Sequence, residues 1–301
     1  MRKYKVYQVD SFTDKKFTGN PAGVVYQAEG LTEEDMKRIA RELNNSETAF
    51  IFEDKSGEAN YHVRFFTPTK EVPICGHATI AAHYVIALEK NIKENTVITQ
   101  RTGAGILDVE IIPSENNYLI KMTQGTIEFE NILIGENRED LLLALGIGKD
   151  EVLETLPIQI VSTGHSKVMI PLKNYSTLDN LHPDMKALEI LSQKIGCNGY
   201  FTFVFNEEGE ETLTTGRMFA PAIGIVEDPV TGNANGPLGA YLVNYNILDS
   251  KKDFVNFIGK QGVTINREGK VFVEVFNKEG KPKKVKVAGK AVTIFKTEIE
   301  V

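Results

Sequence analysis

The sequence predicts an α+β protein built from two similar domains. Three observations carry that prediction. The chain has 301 residues, more than a single hydrophobic core usually organises. Segments of strand composition followed by one long apolar helix occur in that order twice. A short motif, Arg-x-Phe-x-Pro followed by a glycine that opens a helix, stands once in each half.

The elements follow in order. "YKVYQVDSF" and "PAGVVYQ" read as strands, the second opened by the turn residues Gly19-Asn20-Pro21. "LTEEDMKRIARELN" reads as a helix capped by Thr32, with acids in its first turn and Leu31, Met36, Ile39, Ala40 and Leu43 on one face. "ETAFIFE" and "NYHVRFFTP" are rich in β-formers. "GHATIAAHYVIALEK" is a helix with Ile80, Ala81, Tyr84, Val85 and Leu88 at helical spacing, and "TVITQRT", "GILDVEII" and "NYLIKMT" are strands. After about Gly125 the order partly repeats. "EDLLLALGI" is a helix, "IQIVSTG" and "HSKVMIPL" are strands, and "HPDMKALEILSQKI" is a helix with Pro183 in its first turn. "GYFTFVF" and "ETLTTGRMFAP" are strands, "NANGPLGAYLVNYNI" is a helix, and the tail to Val301 is β-rich. The expected domains are 1–125 and 126–290, and the final strand, 291–301, is a candidate to return to the first.

Composition narrows the function classes. The formal net charge is −7 with both signs mixed along the chain, which argues against nucleic acid as the main partner. The apolar runs are too short to span a bilayer, and the N-terminus alternates like a strand with no apolar signal core. The two cysteines, Cys75 and Cys197, sit in unlike contexts and suggest no disulfide framework, so a reducing cytoplasm is expected. The five histidines form no close ligand motif, and no metal is expected. Neither a dinucleotide-binding glycine fingerprint nor a P-loop nor a serine elbow is present, so no cofactor is expected.

The internal repeat points to chemistry. Arg64-Phe65-Phe66-Thr67-Pro68 matches Arg217-Met218-Phe219-Ala220-Pro221, and Cys75-Gly76-His77-Ala78 matches Thr231-Gly232-Asn233-Ala234. More weakly, Asn20-Pro21-Ala22-Gly23-Val24-Val25 echoes Ser166-Lys167-Val168-Met169. Each glycine loop runs into an apolar helix. A helix start offers unpaired N–H groups and the positive end of the dipole, and glycine lets a ligand approach that backbone. For either loop alone, a helix start with no ligand is the simpler reading. The duplication favours a shared anion, most simply a carboxylate, held across a cleft between the domains.

These motifs, together with "DSFTDKKFTGNPAGVV" (10–25), "NNSETAFI" (44–51) and "RMFAPAIGIVEDPVTGNANG" (217–236), make the chain resemble the PhzF-like phenazine biosynthesis family, which shares the diaminopimelate epimerase fold. The resemblance covers both halves in the family's order. It implies two pseudo-symmetric domains, each a barrel-like, mostly antiparallel sheet around a central helix, a cofactor-free active site between them, and a homodimer. It implies an isomerase in which a glutamate moves a proton on a small carboxylic acid. By motif position that glutamate is Glu47, accompanied by His77 and Asp228. Asn20, Cys75, Gly76, His77, Gly232 and Asn233 are the expected substrate-binding residues. One departure is visible: the family's second loop usually reads Thr-Gly-Ser-Ala, and Asn233 stands here in place of the serine.

Each residue has a plainer reading. Glu47 beside the apolar "TAFIF" is placed to act as acid and base, or is an ordinary strand-end glutamate. His77 positions or protonates substrate, or only caps its helix. Asp228, before Pro229, bonds a substrate amine or hydroxyl, or fixes its own turn. Cys75 faces Thr231 in the repeat, and a threonine is too weak a base for two-thiol racemisation. Two rivals therefore stand beside the isomerase: a dehydratase or lyase of a hydroxy-amino acid that uses Cys75, and a non-catalytic small-molecule binder.

Overall fold

A computed structural model describes residues 2–301. Its elements are β1 (Lys3–Ser11), β2 (Asn20–Tyr26), α1 (Glu33–Leu43), β3 (Thr48–Glu53), β4 (Tyr61–Phe66), β5 (Glu71–Val72), α2 (Gly76–Lys90), β6 (Thr96–Thr102), β7 (Gly105–Ser114) and β8 (Asn117–Thr123). They continue with β9 (Ile127–Ile132), α3 (Gly135–Leu145), β10 (Gln159–Thr163), β11 (Lys167–Pro171), α4 (Tyr175–Asp179), α5 (Met185–Ile195), β12 (Tyr200–Phe205) and β13 (Thr214–Ala220). The last are β14 (Ile225–Asp228), α6 (Gly232–Asn244), β15 (Phe254–Gln261), β16 (Gly269–Lys278) and β17 (Lys281–Glu300). The chain divides into two units, Met1–Thr123 with Ala288–Val301, and Gln124–Val287.

In the first unit β1 pairs antiparallel with β2 and with β17. β2 runs parallel to β3, β3 antiparallel to β4, and β4 parallel to β6. β6, β7 and β8 form an antiparallel meander, and β8 returns to β17, closing a ring of eight strands. α2 is the plug of this barrel and packs against β1, β2, β3, β7 and β8. All residues from His77 to Ala87 are buried. The residues at helical spacing are therefore part of a helix buried all round, as a helix apolar on every side requires. Leu88, the last of the residues at helical spacing, is 40% exposed because the helix is by then leaving the barrel. α1 lies on the outer surface. Thr32 and Asp35 form a reciprocal capping box, and Met36, Ile39 and Ala40 pack on Tyr4, Val6, Val25, Phe50 and Phe66.

In the second unit β9 pairs with β10, β10 antiparallel with β11, β11 parallel to β12, β12 antiparallel to β13, β13 parallel to β15, and β15 antiparallel to β16. α6 packs against β10, β11, β15 and β16, with Ala234–Val243 buried. Gly239 lets it approach closely: a Cβ there would stand 2.7 Å from a Val273 methyl. α3 and α5 cover the outside through Leu141, Leu142, Leu145, Leu188 and Leu191. Pro183 lies outside its helix rather than in the first turn. Asp184 is the N-cap, its carboxylate accepting from the N–H groups of Lys186 and Ala187.

Both units therefore follow one strand programme: antiparallel, parallel, antiparallel, parallel, antiparallel, with the central helix inserted before the last parallel step. Matching hydrogen bonds align them residue by residue. Gly23 N–H donates to the Glu47 carbonyl at 3.3 Å, and Val168 N–H donates to the Gly199 carbonyl at 2.8 Å. Arg64 lies 5.1 Å over Phe66, and Arg217 lies 5.1 Å over Phe219. Thr79 and Asn235, each four residues on, donate backbone and side-chain bonds to the Cys75 and Thr231 carbonyls. Glu47 is thus the equivalent of Gly199, and Cys75 that of Thr231. No helix among the described residues is long and apolar enough to cross a membrane.

Candidate active site

In the first unit, Glu47 occupies the position just before β3, and His77 is the second residue of α2. The Glu47 carboxylate stands 3.4 Å from His77 Nε2, with their side chains 15% and 9% exposed. Ser46 Oγ lies 3.2 Å from the same nitrogen. On the other side of the ring, Cys75 Sγ is 3.4 Å from Nδ1. The imidazole is therefore gripped at both nitrogens. Its backbone is held too, since Ser11 Oγ donates to the His77 carbonyl at 2.8 Å. Asn20 is buried at the start of β2, opposite Ser11, and the neighbouring Asp10 accepts from Phe17 N–H. Cys75 is the N-cap of α2 but supplies no side-chain cap, so the first-turn amides of Gly76 and His77 are not occupied by a capping group.

The three donors Glu47, Cys75 and His77 each bring one ligand atom within 4.8 Å of the others. A soft divalent ion would find a mixed O, S, N set there. Sequence spacing cannot reveal this cluster, because Glu47 is remote from the loop and reaches it only through the β2–β3 pairing.

In the second unit Asp228 ends β14 and is 9% exposed. Its carboxylate accepts from the Thr231 hydroxyl. Gln261 completes the loop. Its amide donates to the Asp228 carbonyl at 2.7 Å and to Thr231 Oγ1 at 3.1 Å, while its own oxygen accepts from Thr231 N–H at 3.1 Å. Turn fixation is therefore one role of Asp228. The Thr231 hydroxyl, spent on Asp228, leaves α6 without a side-chain cap, and the first-turn amides of Gly232 and Asn233 are again not capped. Asn233 is half-buried at the second position of the helix.

Sequence reasoning did not single out Ser46, Ser11 or Gln261. Ser11 and Ser46 lie inside the motifs of residues 10–25 and 44–51, where nothing sets a serine apart from its neighbours. Gln261 lay in the β-rich tail, where nothing marks one polar residue from another. Cys197 is buried in the core beneath α5, and burial pushes its thiol up.

The family model for phenazine biosynthesis-like proteins matches residues 9–297. An uncharacterised isomerase of Clostridium acetobutylicum is 56% identical over 299 residues, with 99% of each chain covered. The trans-2,3-dihydro-3-hydroxyanthranilate isomerase of Pseudomonas fluorescens is 32% identical over 286 residues, covering 95% of each. Among solved structures, a PhzF-family phenazine biosynthesis protein of Bacillus anthracis superposes with a TM-score of 0.90 at 32% identity over the full length of both chains. A hydroxyproline epimerase of Agrobacterium vitis shares the fold alone, with a TM-score of 0.67 at 10% identity, covering 99% of this chain and 92% of its own. Over nearly its whole length, then, the chain belongs to the phenazine biosynthesis-like family, and it is an isomerase.

Proposed function

We propose that the protein moves a proton between two carbons of a small, conjugated carboxylic acid, with Glu47 as the single acid and base and with no cofactor. The observation that carries this reading is the Glu47 carboxylate set 3.4 Å from His77 Nε2, with both side chains largely buried. A carboxylate there accepts the proton from carbon. The electrons of the broken C–H bond pass into the conjugated system and the substrate carboxylate, and Glu47 returns the proton at a second carbon. The substrate carboxylate is held at the uncapped helix starts of Gly76-His77 and Gly232-Asn233, where backbone N–H groups and the helix dipoles oppose the charge that grows on it. His77, fixed by Ser46 and Cys75, orients the Glu47 carboxyl and the substrate. Asp228 acts through its loop, by holding Thr231 and the start of α6. The protein acts in the cytoplasm as a homodimer. A small cyclic carboxylic acid, of the kind named for the 32%-identical relative, is the first substrate class to try.

The test is a screen of small carboxylic acids in D₂O, with proton exchange read by NMR. Glu47→Gln should lose about 10²–10⁴-fold in exchange rate while keeping ligand affinity and the thermal transition. Full activity in that variant would refute the assignment. One contact favours a second reading: Cys75 Sγ lies within 3.4 Å of His77 Nδ1, as in thiol–imidazole pairs that generate a thiolate base. The same screen with Cys75→Ala separates the two. A lyase that depends on that thiol loses activity, whereas the glutamate isomerase keeps most of it. Carboxylate binding with no exchange on any acid favours a non-catalytic binder.

A further inference from the structure

The second unit buries a cation that the proposed chemistry leaves unused. Lys167, the first residue of β11, is 9% exposed. Its Nζ donates to one protein acceptor, the carbonyl of its neighbour Ser166 at 3.1 Å. Among the described residues no carboxylate stands within ion-pair distance of it. Burial disfavours its charge, and the groups that favour it are the Cys197 thiol and Asp228, at the loop that starts α6. An ammonium removed from water without a counter-ion costs several kcal/mol, and two of its three donors remain unspent.

The position of this cation is specific. Gly199 is the second-unit equivalent of Glu47, by the matching hydrogen bonds from Val168 and Gly23. The lysine stem crosses the face of Gly199: a Cβ there would stand 2.8 Å from Lys167 Cε and 3.4 Å from Nζ. Where the first unit begins its glutamate side chain, the second unit omits a side chain and puts an ammonium. Glycine is needed for that substitution of one charge by the other.

We propose that Lys167 is an anion-binding residue of the site, and that the ligand carries a second acidic group besides the carboxylate assigned to the helix starts, so that the substrate class is a small diacid. This rests on the isomerase reading for the first carboxylate, and not on Glu47 as the base. A lysine is a compact point charge on a long stem, suited to a carboxylate whose position varies with the ligand. Burial pushes the Lys167 ammonium below its usual range, with Cys197 and Asp228 pulling it back. A charge held under such a penalty gains more from an incoming anion than a solvated one does.

The experiment is calorimetric titration of the full chain with malonate, succinate and glutarate, and with acetate, propionate and butyrate as single-charge controls. Wild-type protein should bind its best diacid at least about tenfold more tightly than the matching monoacid. Lys167→Met should remove that preference and leave monoacid affinity within about twofold. Equal affinity for diacids and monoacids in the wild type, or no diacid binding, overturns the proposal without any variant. So does a folded Lys167→Met protein that keeps the preference. Glu47→Gln separates the two claims. If it retains proton exchange while diacid binding still depends on Lys167, the glutamate assignment fails and the lysine site stands. If it loses exchange while Lys167→Met binds diacids normally, the reverse holds.

Discussion

Lowering the pH from 7 to 4 should cost the first unit stability through one histidine. His83 lies inside the barrel on α2 and is fully buried. Its Nδ1 bonds the Thr79 carbonyl at 3.0 Å, and its Nε2 meets no protein partner among the described residues. Burial drives its pKa from 6.5 down to about 4, against a smaller opposing effect from Thr79. The folded form therefore resists the proton that the unfolded chain accepts. Above pH 6.5 both states are neutral and the residue contributes no pH dependence. As pH falls from 6.5 to 4 the unfolded state gains its proton first, and stability drops by about 3 kcal/mol at roughly 1.36 kcal/mol per pKa unit. Below 4 the loss stops growing. Urea unfolding of wild type and His83→Gln across pH 4–8 isolates the term, because carboxylate titration is common to both. The expected result is a stability difference between the two proteins that shifts by about 3 kcal/mol across the window. A difference independent of pH would refute the reasoning, since it would mean the ring is solvated or protonated inside the barrel.

Two further outcomes follow from the ion pairs. Arg217 and Glu227 are 8% and 11% exposed and make two parallel bonds, whereas the equivalent Arg64–Glu71 pair is 24% and 38% exposed. Arg217 also donates to the carbonyls of Leu178 and Leu181. Arg217→Met should therefore destabilise by about 3–5 kcal/mol in thermal or urea unfolding, and Arg64→Met by about 0–1 kcal/mol. Glu89 accepts from Lys5, Tyr7 and Lys296, and although burial raises its pKa these bonds bring it down to about 2. Its contribution is fully present above pH 4.5 and lost as pH falls toward 2, so Glu89→Gln should flatten the acid limb below pH 4.5 and leave the His83 window unchanged.

Legibility of the sequence followed physical locality. α2 and α6 begin at the glycines the loops display, because a glycine before an apolar run is a local signal. That both helices are buried all round is not local: it depends on strands far apart in sequence packing around them, and Leu88, at the same helical spacing, is 40% exposed. β14 hides in "IGIVEDPV", where pairing with β13 rather than composition makes the strand. The contact of Glu47 with His77 is invisible to spacing, and rests on motif resemblance until the β2–β3 ladder brings it about. Lys167 misleads most. Nothing in the strand "HSKVMIPL" sets its lysine apart, yet all five residues of β11 are buried. Only a glycine just before the neighbouring strand, thirty-two positions on, makes room for it.

The duplication explains why the two halves can carry different chemistry on one backbone. The hydrogen bonds that define the fold at the start of β3 and of β12 use main-chain atoms, so they place no demand on the side chain at 47 or 199. The same holds at the two helix starts, where the bonds to the 75 and 231 carbonyls come from Thr79 and Asn235 and leave the N-cap side chain open to choice. A backbone of this kind keeps the uncapped amides in both halves while the side chains diverge: a thiol beside an imidazole in one, a threonine locked to an aspartate in the other. A two-base racemase needs matched groups in both halves. This chain has a carboxylate at position 47 in one half and, at the equivalent place in the other, a glycine crossed by the Lys167 ammonium, so the matched pair is absent at this position. Restoring symmetry tests that division. Gly199→Glu should displace the Lys167 stem and weaken diacid binding, without supplying a second base, because an acceptor set among Cys197, Asp228 and a buried ammonium is spent on that ammonium.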